Sequence, residues 1–236
     1  MIRLLQCILF ISLSVLNCFP QGKVQRPTKQ VNPSNKPVHT VKNGEVDGYI
    51  NGHAYIDLGL PSGTKWATCN VGADEPSECG NYFAWGETST KSSYTKDNSL
   101  TYRIHERTLK SHGIVDERGI LNKKNDAASV IWGSSWRMPT REECEELQSK
   151  CKWIIISKDG IKCLKITGPN GNSIYLPASG YREGDSLSGV SAGTGCYWSA
   201  SVREGRLESY DFSIAGSLYA GYGYRYYGFT IRPVSE

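Results

Sequence analysis

The sequence predicts an α+β domain, built from short antiparallel strands, two helices and long loops. Three observations support this fold class. Short runs that alternate between apolar and polar residues, or that are rich in Ile, Val, Tyr and Trp, are bounded by turn residues. Helix start signals stand out at two places. Long polar stretches without periodicity separate these segments, which is typical of a small domain with segregated strands and helices.

The N-terminal residues have the composition of an export signal. One cation, Arg3, precedes an apolar run that ends at Leu16 and is too short to span a bilayer. We therefore expect a signal peptide over residues 1–22. The string Val15-Leu16-Asn17-Cys18 resembles a lipobox, although asparagine is larger than the small residue usual before the cysteine. Two outcomes stay open, a lipid anchor on Cys18 or plain cleavage beside it.

The next segment, residues 23–46, is expected to be a flexible linker. It holds three prolines and several amides but almost no apolar side chains, so burial cannot offset the entropy of ordering it. Six of the chain's 27 Lys and Arg residues precede residue 43, where no acidic residue occurs, which leaves 21 cations against 23 acidic residues beyond it. A nucleic-acid-binding domain would carry its excess cations on the folded part. We therefore expect no nucleic-acid partner for the folded domain, residues 47–236.

The first elements of the domain are predicted strands. Residues 53–60 alternate like a half-buried strand, Pro61-Ser62-Gly63 supplies a turn, and residues 65–71 alternate again. This pattern predicts a hairpin. Residues 81–86 predict a third short strand. Residues 87–123 are polar and aperiodic, so they predict an insertion without a core element.

Two helices are predicted in the middle of the chain. Residues 126–132 run up to a glycine and indicate a short helix. Thr140 and Glu143 form the Thr-x-x-Glu pattern of a capping box, which starts a second helix. The apolar positions of this helix fall on one stripe at i, i+3 and i+7: Cys144, Leu147 and Cys151.

A second hairpin is predicted after these helices. Two isoleucine-rich runs, residues 152–157 and 161–167, flank Asp159-Gly160, and Asp-Gly between two such runs is a strong hairpin signal. A further turn leads into a strand over residues 173–177. Residues 178–195 are rich in Gly and Ser and predict a loop.

The cysteines do not indicate a catalytic or metal site. Six follow the leader, and none forms a Cys-x-x-Cys pair, so neither a zinc knuckle nor a thioredoxin-like site is supported. Export permits disulfides, and we expect some of the six to pair, with the pairing left open. No Gly-x-Ser-x-Gly motif occurs. We expect a non-enzymatic protein without a cofactor or a bound metal.

The C-terminal segment from Cys196 has an unusual composition, in which tyrosines alternate with glycines between two apolar runs. A core cannot use so many tyrosines, because each buried hydroxyl needs a hydrogen-bond partner. Tyrosine mixed with Ser, Gly and Arg is typical of recognition surfaces. The alternative is a group of ordinary strand and loop tyrosines with solvated hydroxyls. We predict a ligand-binding surface made of ten residues: Tyr197, Trp198, Arg203, Tyr210, Asp211, Tyr219, Tyr222, Tyr224, Arg225 and Tyr226.

Several motifs resemble the Fibrobacter succinogenes major paralogous domain family. They are the stretch from Tyr55 to Ala73, Tyr82-Phe-Ala-Trp-Gly-Glu87, Trp136-Arg-Met-Pro-Thr140 and Gly228-Phe-Thr-Ile-Arg-Pro-Val234. The resemblance covers residues 53–234. It implies a C-type lectin-like fold, related to formylglycine-generating enzyme domains, in an exported bacterial protein.

The end of the chain is also similar to retroelement-diversified receptors of the same fold, in which the region matching residues 197–226 forms the ligand face. Calcium-dependent lectins of this fold use a Glu-Pro-Asn loop. The nearest string here, Glu75-Pro76-Ser77, lacks the amide, so no calcium site is expected. The cysteine pair of the related enzymes has no match either.

Two functions follow as hypotheses. The first is an exported, non-enzymatic binding module that recognises a protein or a glycan through residues 197–226. The second is a structural or assembly component of the bacterial cell envelope, with the tyrosines buried against a partner subunit. In both cases the protein is expected to be secreted or held at the cell surface or outer membrane, with membrane contact only through an anchor at Cys18.

Overall fold

A computed structural model of the chain describes residues 46–236. The expected signal peptide, Cys18 and all but the last residue of the expected linker lie outside the described residues. Within residues 46–236, no helix is both long enough and apolar enough to cross a membrane.

The described residues form an α+β domain, as the sequence predicts. The strands are β1 (Gly48–Ile50), β2 (His53–Asp57), β3 (Lys65–Ala67), β4 (Lys152–Lys158), β5 (Ile161–Thr167), β6 (Ser173–Pro177), β7 (Tyr181–Glu183), β8 (Ser186–Ser188), β9 (Gly195–Val202), β10 (Glu208–Ile214), β11 (Leu218–Tyr224) and β12 (Val234–Ser235). The α-helices are α1 (Glu106–Ser111), α2 (Ala127–Trp132) and α3 (Arg141–Lys150), with a 3-10 turn at Lys123–Asn125.

Four small antiparallel sheets organise these strands. Their orders are β1-β2-β3-β12, β4-β5-β6, β7-β8 and β11-β10-β9. The first sheet joins the beginning of the domain to its end, because Val234 pairs with Trp66. The sheet that contains β11 ends there, so β11 is an edge strand and leaves one side of its backbone unpaired with any strand of this sheet.

Both predicted hairpins are confirmed. In the first, Asp57 of β2 lies opposite Lys65 of β3. In the second, Asp159 and Gly160 have φ angles of 51° and 78° and connect β4 directly to β5. Positive φ at both central residues is the geometry of the two-residue turn that matches the twist of paired strands, and it explains why Asp-Gly stands there.

Both predicted helices are confirmed as well. The Asp126 carboxylate caps α2 by accepting a hydrogen bond from Ser129 N, and Gly133 follows the last turn. In α3 the capping box is complete, since Thr140 Oγ1 accepts from Glu143 N and Glu143 Oε2 accepts from Thr140 N at 2.8 Å. Local signals of this kind need no knowledge of the rest of the fold.

Three expectations about the less regular segments are wrong. Residues 87–123 contain α1, whose Leu109 is fully buried in the core. Residues 178–195 contain the β7–β8 hairpin. Residues 81–86 form no strand, and Phe83 makes only an isolated bridge with Phe229. The bridge of Phe83 and the burial of Leu109 depend on partners distant in sequence, whereas the β7–β8 hairpin is local but lacks an alternating pattern.

Two large hydrophobic clusters, separated by β9, form most of the core, and a small third cluster consists of Tyr82, Ala84 and Tyr94. Cys196, Trp198 and Ala200 pack into one cluster, whereas Tyr197 packs into the other. Side chains alternate along a strand, so a strand between two cores is buried on both faces. All eight residues of β9 are buried.

The six cysteines of the described part are free thiols, so the expected disulfides are absent among these residues. The two clusters explain part of this outcome. Cys144 lies in the cluster that contains Tyr197, whereas Cys196 lies in the one that contains Trp198. Burial of small thiols as apolar side chains is common and needs no pairing.

Candidate ligand-binding site

The candidate site lies on one face of the β9–β10–β11 sheet. Asp211 of β10 is opposite Gly221 of β11, and the neighbouring Ser213 is opposite Tyr219. Residues that face each other across an antiparallel pair share a face of the sheet, as do residues two apart on one strand. The register therefore places Asp211 and Ser213 on the same face as Tyr219 and Gly221.

A cavity of about 150 Å³ opens on this face, and we call it the tyrosine pocket. Aromatic rings, two glycines and a few small polar groups surround it. Its lining residues are Tyr181, Cys196, Asp211, Ser213, Tyr219, Gly221, Tyr222, Gly223, Tyr227 and Phe229.

Gly221 and Gly223 let two lining side chains of the tyrosine pocket pack closely against β11. Neither has a left-handed φ, so the backbone alone does not require glycine at these positions. A Cβ atom on Gly221 would lie 2.6 Å from Asp211 Oδ1, and one on Gly223 would lie 2.5 Å from Phe229 Cε2. The close approach of Asp211 and Phe229 to β11 therefore depends on the missing side chains at these two positions.

Asp211 supplies the charge-bearing group of the tyrosine pocket. Only 4% of the residue is exposed, and its Oδ1 accepts a hydrogen bond from Ser213 Oγ at 3.0 Å. Among the described residues, no lysine, arginine or histidine forms an ion pair with it. Burial raises the pKa of this carboxyl to about 7, with the Ser213 hydrogen bond lowering it in part.

Aromatic contacts hold the wall of the tyrosine pocket in place. The ring centroids of Tyr181 and Tyr227 are 5.6 Å apart, and those of Tyr227 and Phe229 are 6.0 Å apart. Phe229 stacks in turn on the buried Trp198 at 4.1 Å. Contacts of this geometry add to the area that the rings bury, so the wall is anchored in the core.

No protein-family model, curated protein or solved structure matches this chain. The function has to be inferred from the chemistry that the sheet brings together. Across residues 46–236, no group of three or more His, Cys, Asp or Glu side chains could hold a metal ion.

A larger cavity of about 280 Å³ lies elsewhere, against the β4-β5-β6 sheet. Its main polar groups already have partners within the domain. The Asp47 carboxylate accepts hydrogen bonds from Asp57 N and Asn172 Nδ2, and the Lys158 ammonium lies 5.0 Å from the centre of the Tyr175 ring. The tyrosine pocket, with its unpaired carboxyl, is the stronger candidate for binding.

Three of the predicted tyrosines are exposed on β11. Tyr219 is on the face that carries Asp211 and Gly221, whereas strand alternation places Tyr222 and Tyr224 on the opposite face, although Tyr222 also borders the tyrosine pocket. The exposed fractions are 40% for Tyr219, 56% for Tyr222 and 40% for Tyr224. The guanidinium of Arg203 lies 3.6 Å from the centre of the Tyr222 ring. This cation–π contact orders the most exposed of the three rings and leaves Arg203 half-buried.

Four of the ten predicted residues are buried and do not line the tyrosine pocket. Tyr197 and Trp198 belong to β9 and donate to the carbonyl oxygens of Pro177 and Phe83. Tyr226 is buried, and its hydroxyl donates to Glu183 Oε1 at 3.1 Å. These hydrogen bonds satisfy the hydroxyls and the indole N–H, so the rings can fill the core.

Arg225 is the fourth, and its role is structural. Its guanidinium donates to four backbone carbonyl oxygens, those of Thr101, Ile104, Arg206 and Glu208, and to Ser209 Oγ. These contacts tie the insertion that contains α1 to the β10–β11 hairpin. Desolvation lowers the pKa of Arg225 to about 10, yet the side chain stays protonated near neutral pH.

Of the other predicted residues, Tyr210 is half-buried and Asp211 is buried, and both belong to β10. Tyr210 accepts a hydrogen bond from Arg141 Nη1 at 3.0 Å, which attaches β10 to α3. Asp211 lines the tyrosine pocket. The structure thus brings Asp211, Tyr219 and Tyr222 together at the pocket, with Tyr224 beside Tyr227 at 5.6 Å.

Seven residues that line the tyrosine pocket are missing from the predicted set. Tyr181 comes from a segment expected to be a loop, and no local signal marks it. Tyr227 and Phe229 lie just beyond the predicted surface. The glycines did leave a signal: Gly-x-Gly in a strand leaves two positions on the same face without side chains. The seven residues are Tyr181, Cys196, Ser213, Gly221, Gly223, Tyr227 and Phe229.

Proposed function

We propose that the protein is a non-enzymatic binding module that recognises a protein or a glycan through its C-terminal tyrosines. The observation that carries this proposal is the exposure of Tyr219, Tyr222 and Tyr224 on one edge strand, β11, part of which lines the tyrosine pocket. Tyrosine rings provide large contact area at low entropic cost, and exposed aromatic clusters are frequent binding hot spots.

The surroundings of these tyrosines support recognition rather than simple solvation. Ordering side chains on binding costs affinity, so side chains that are already held in place favour recognition. Tyr222 is ordered by Arg203, and Tyr224 contacts Tyr102 and Tyr226 with ring centroids 5.9 and 5.7 Å apart. The exposed rings are therefore held by neighbours that are themselves anchored.

The proposal includes the fold family and the location of the protein. We infer a C-type lectin-like domain of the Fibrobacter succinogenes major paralogous kind over residues 47–236. The motifs named above support it, and so does the sheet that joins β12 to β1, β2 and β3. The signal peptide expected over residues 1–22 supports a secreted or surface-held bacterial protein.

The thiols support a non-enzymatic function. A nucleophilic or redox-active cysteine needs a lowered pKa and access to solvent. Burial raises the pKa of all six described thiols, to about 11 for Cys151 and about 12 for Cys196. Such thiols behave as small apolar side chains.

A glycan and protein array probed with the full chain tests the proposal. We expect at least one ligand whose signal disappears when Tyr219, Tyr222 and Tyr224 are all changed to alanine. A control with Tyr49, Leu100 and Leu187 changed to alanine removes exposed apolar surface elsewhere and should keep the signal. A ligand that both variants bind equally well would show that recognition does not involve Tyr219, Tyr222 and Tyr224.

An assembly component of the cell envelope is the second candidate, and one observation favours it. Ile154 and Ile155 are 59% and 54% exposed on β4, an edge strand of its sheet. Exposed apolar edge strands tend to pair with another chain. Sizing of the full chain and crosslinking in cells distinguish the two: a stable complex lost on Ile154→Lys supports assembly, and a monomer in both experiments contradicts it.

A further inference from the structure

The Asp211 carboxyl is an unusual group to bury. Its Oδ1 accepts from Ser213 Oγ, and among the described residues we find no hydrogen bond to its second oxygen. An ionised carboxylate in an apolar site is costly unless a cation or several donors accompany it. The side chain nevertheless lines a pocket that opens to the surface.

The space beside this carboxyl is shaped by residues that carry little other polarity. Gly221 lets the Asp211 carboxyl lie close against β11, because any Cβ at this position would lie 2.6 Å from Asp211 Oδ1. The rings of Tyr181, Tyr219 and Tyr227 border the same space. A small cavity that combines aromatic rings with one buried carboxylate suits a compact cation, since ring faces and a carboxylate both attract positive charge.

We propose that the tyrosine pocket binds the ammonium group of a ligand, with the Asp211 carboxylate as its counterion and the tyrosine rings as its walls. The inference rests on the proposed function, because it names the chemistry that the same surface recognises. Both a primary and a quaternary ammonium group fit this chemistry. A neutral sugar suits it less well, because it would need several hydrogen-bonding partners in place of a single carboxylate.

Binding of a cation should depend on the protonation of Asp211. The titratable groups near it are Cys196 on β9, Tyr219 on β11 and Cys144 on α3. Burial raises the pKa of each of these, so all three are neutral around pH 7 and supply no compensating charge. Burial also raises the pKa of Asp211 to about 7, so the carboxylate that a cation needs is mostly present at pH 8 and mostly protonated at pH 6.

Calorimetric titration of the full chain with matched pairs of small probes tests the proposal. The quaternary probe is choline, compared with its uncharged carbon analogue 3,3-dimethylbutan-1-ol. The primary probe is n-butylammonium, compared with butan-1-ol. We expect one or both cations to bind roughly tenfold more tightly than the neutral partner. The preferred cation identifies the class of ammonium group.

Two further measurements distinguish a counterion from a structural aspartate. Affinity for the preferred cation should fall about tenfold from pH 8 to pH 6, as the carboxyl takes up its proton. Asp211→Asn keeps the acceptor for Ser213 and should remove the preference for cations. Asp185→Asn, which removes the same charge at an exposed position, should keep it.

Equal affinity for the cations and their neutral partners at pH 8 would overturn the inference, and so would no binding by any probe. The pH titration needs no variant, so the test stands even if Asp211→Asn does not fold. The proposed function fails by a different result, the retention of array ligands after loss of the three exposed tyrosines. The two failures are therefore distinguishable.

Discussion

Gly221 lies opposite Asp211 in the β10–β11 ladder, so close that a Cβ atom on the glycine would sit 2.6 Å from Asp211 Oδ1. This pair explains two features of the chain together. The glycine leaves room for the Asp211 carboxyl to pack against β11, and the tyrosine pocket, which Asp211 lines, gives that carboxyl its access to solvent. Glycine in the interior of a strand weakens the strand. The close packing of Asp211 that Gly221 permits explains why glycine stands at this position.

Changing Gly221 to alanine should therefore be destabilising, although alanine is the better strand residue. The added methyl group overlaps Asp211 Oδ1, and overpacking of this kind costs about 1–3 kcal/mol. Urea denaturation measures the loss. Ala220→Ser, at the neighbouring exposed position, is the control and should change the free energy of unfolding little. Equal stability of Gly221→Ala and the wild type would show that the carboxyl moves aside freely.

Changing Asp211 to asparagine should alter how stability depends on pH. The carboxyl has a pKa of about 7 in the folded chain and near 4 when unfolded, so between these values the folded chain binds more protons. The free energy of unfolding of the wild type therefore falls as pH rises through this window. The asparagine variant lacks this loss and should become more stable than the wild type by up to roughly 4 kcal/mol above pH 7.

Urea denaturation of both proteins, from about pH 4 to pH 8, measures this difference. The difference in the free energy of unfolding should be near zero at the acidic end, rise through pH 7 and level off near pH 8. Asp185→Asn is again the control for loss of a charge. A difference that does not vary with pH would mean that Asp211 is charged in the folded chain throughout.

Changing Arg225 to methionine should weaken the fold rather than recognition alone. The guanidinium satisfies four carbonyl oxygens and one hydroxyl in a buried place, and their loss leaves acceptors without donors. We expect a loss of about 2–4 kcal/mol in the free energy of unfolding. Arg206→Met, with an exposed side chain, should cost much less. An unchanged stability of Arg225→Met would return Arg225 to the list of ligand contacts.

The six described thiols should be free and slow to react. Alkylation of the native chain should label Cys144 and Cys196 only slowly, because both are buried and the pKa of each is raised. Alkylation in denaturant without a reductant should label all six positions. Peptide mapping distinguishes the outcomes, and a disulfide-linked pair of peptides would contradict the free-thiol structure.

The parts of the fold that the sequence predicts well are those with a local cause. The capping box of Thr140 and Glu143 and the Asp159-Gly160 turn each follow from a few adjacent residues. The burial of Tyr197 and Trp198 does not, because it needs a core on each side of β9. A tyrosine-rich segment therefore divides into buried and exposed rings in a way that composition cannot show.

The residues of the candidate site also divide into those with a local sequence signal and those whose position depends on distant parts of the chain. Tyr219, Tyr222 and Tyr224 could be predicted because exposed aromatic residues alternate with glycine in one strand. Arg225 could not be assigned correctly, since its carbonyl partners at residues 101 and 104 come from the insertion far along the chain. Tyr181 joins the pocket through a hairpin that has no periodicity of its own.

The affinity of the strongest array ligand for the triple alanine variant tests the central claim most directly. Replacing Tyr219, Tyr222 and Tyr224 should weaken binding at least about tenfold, because each exposed ring is truncated at a proposed hot spot. The matched triple of Tyr49, Leu100 and Leu187 should bind like the wild type. Full affinity in the tyrosine variant, with its fold intact by circular dichroism, would contradict recognition through these rings.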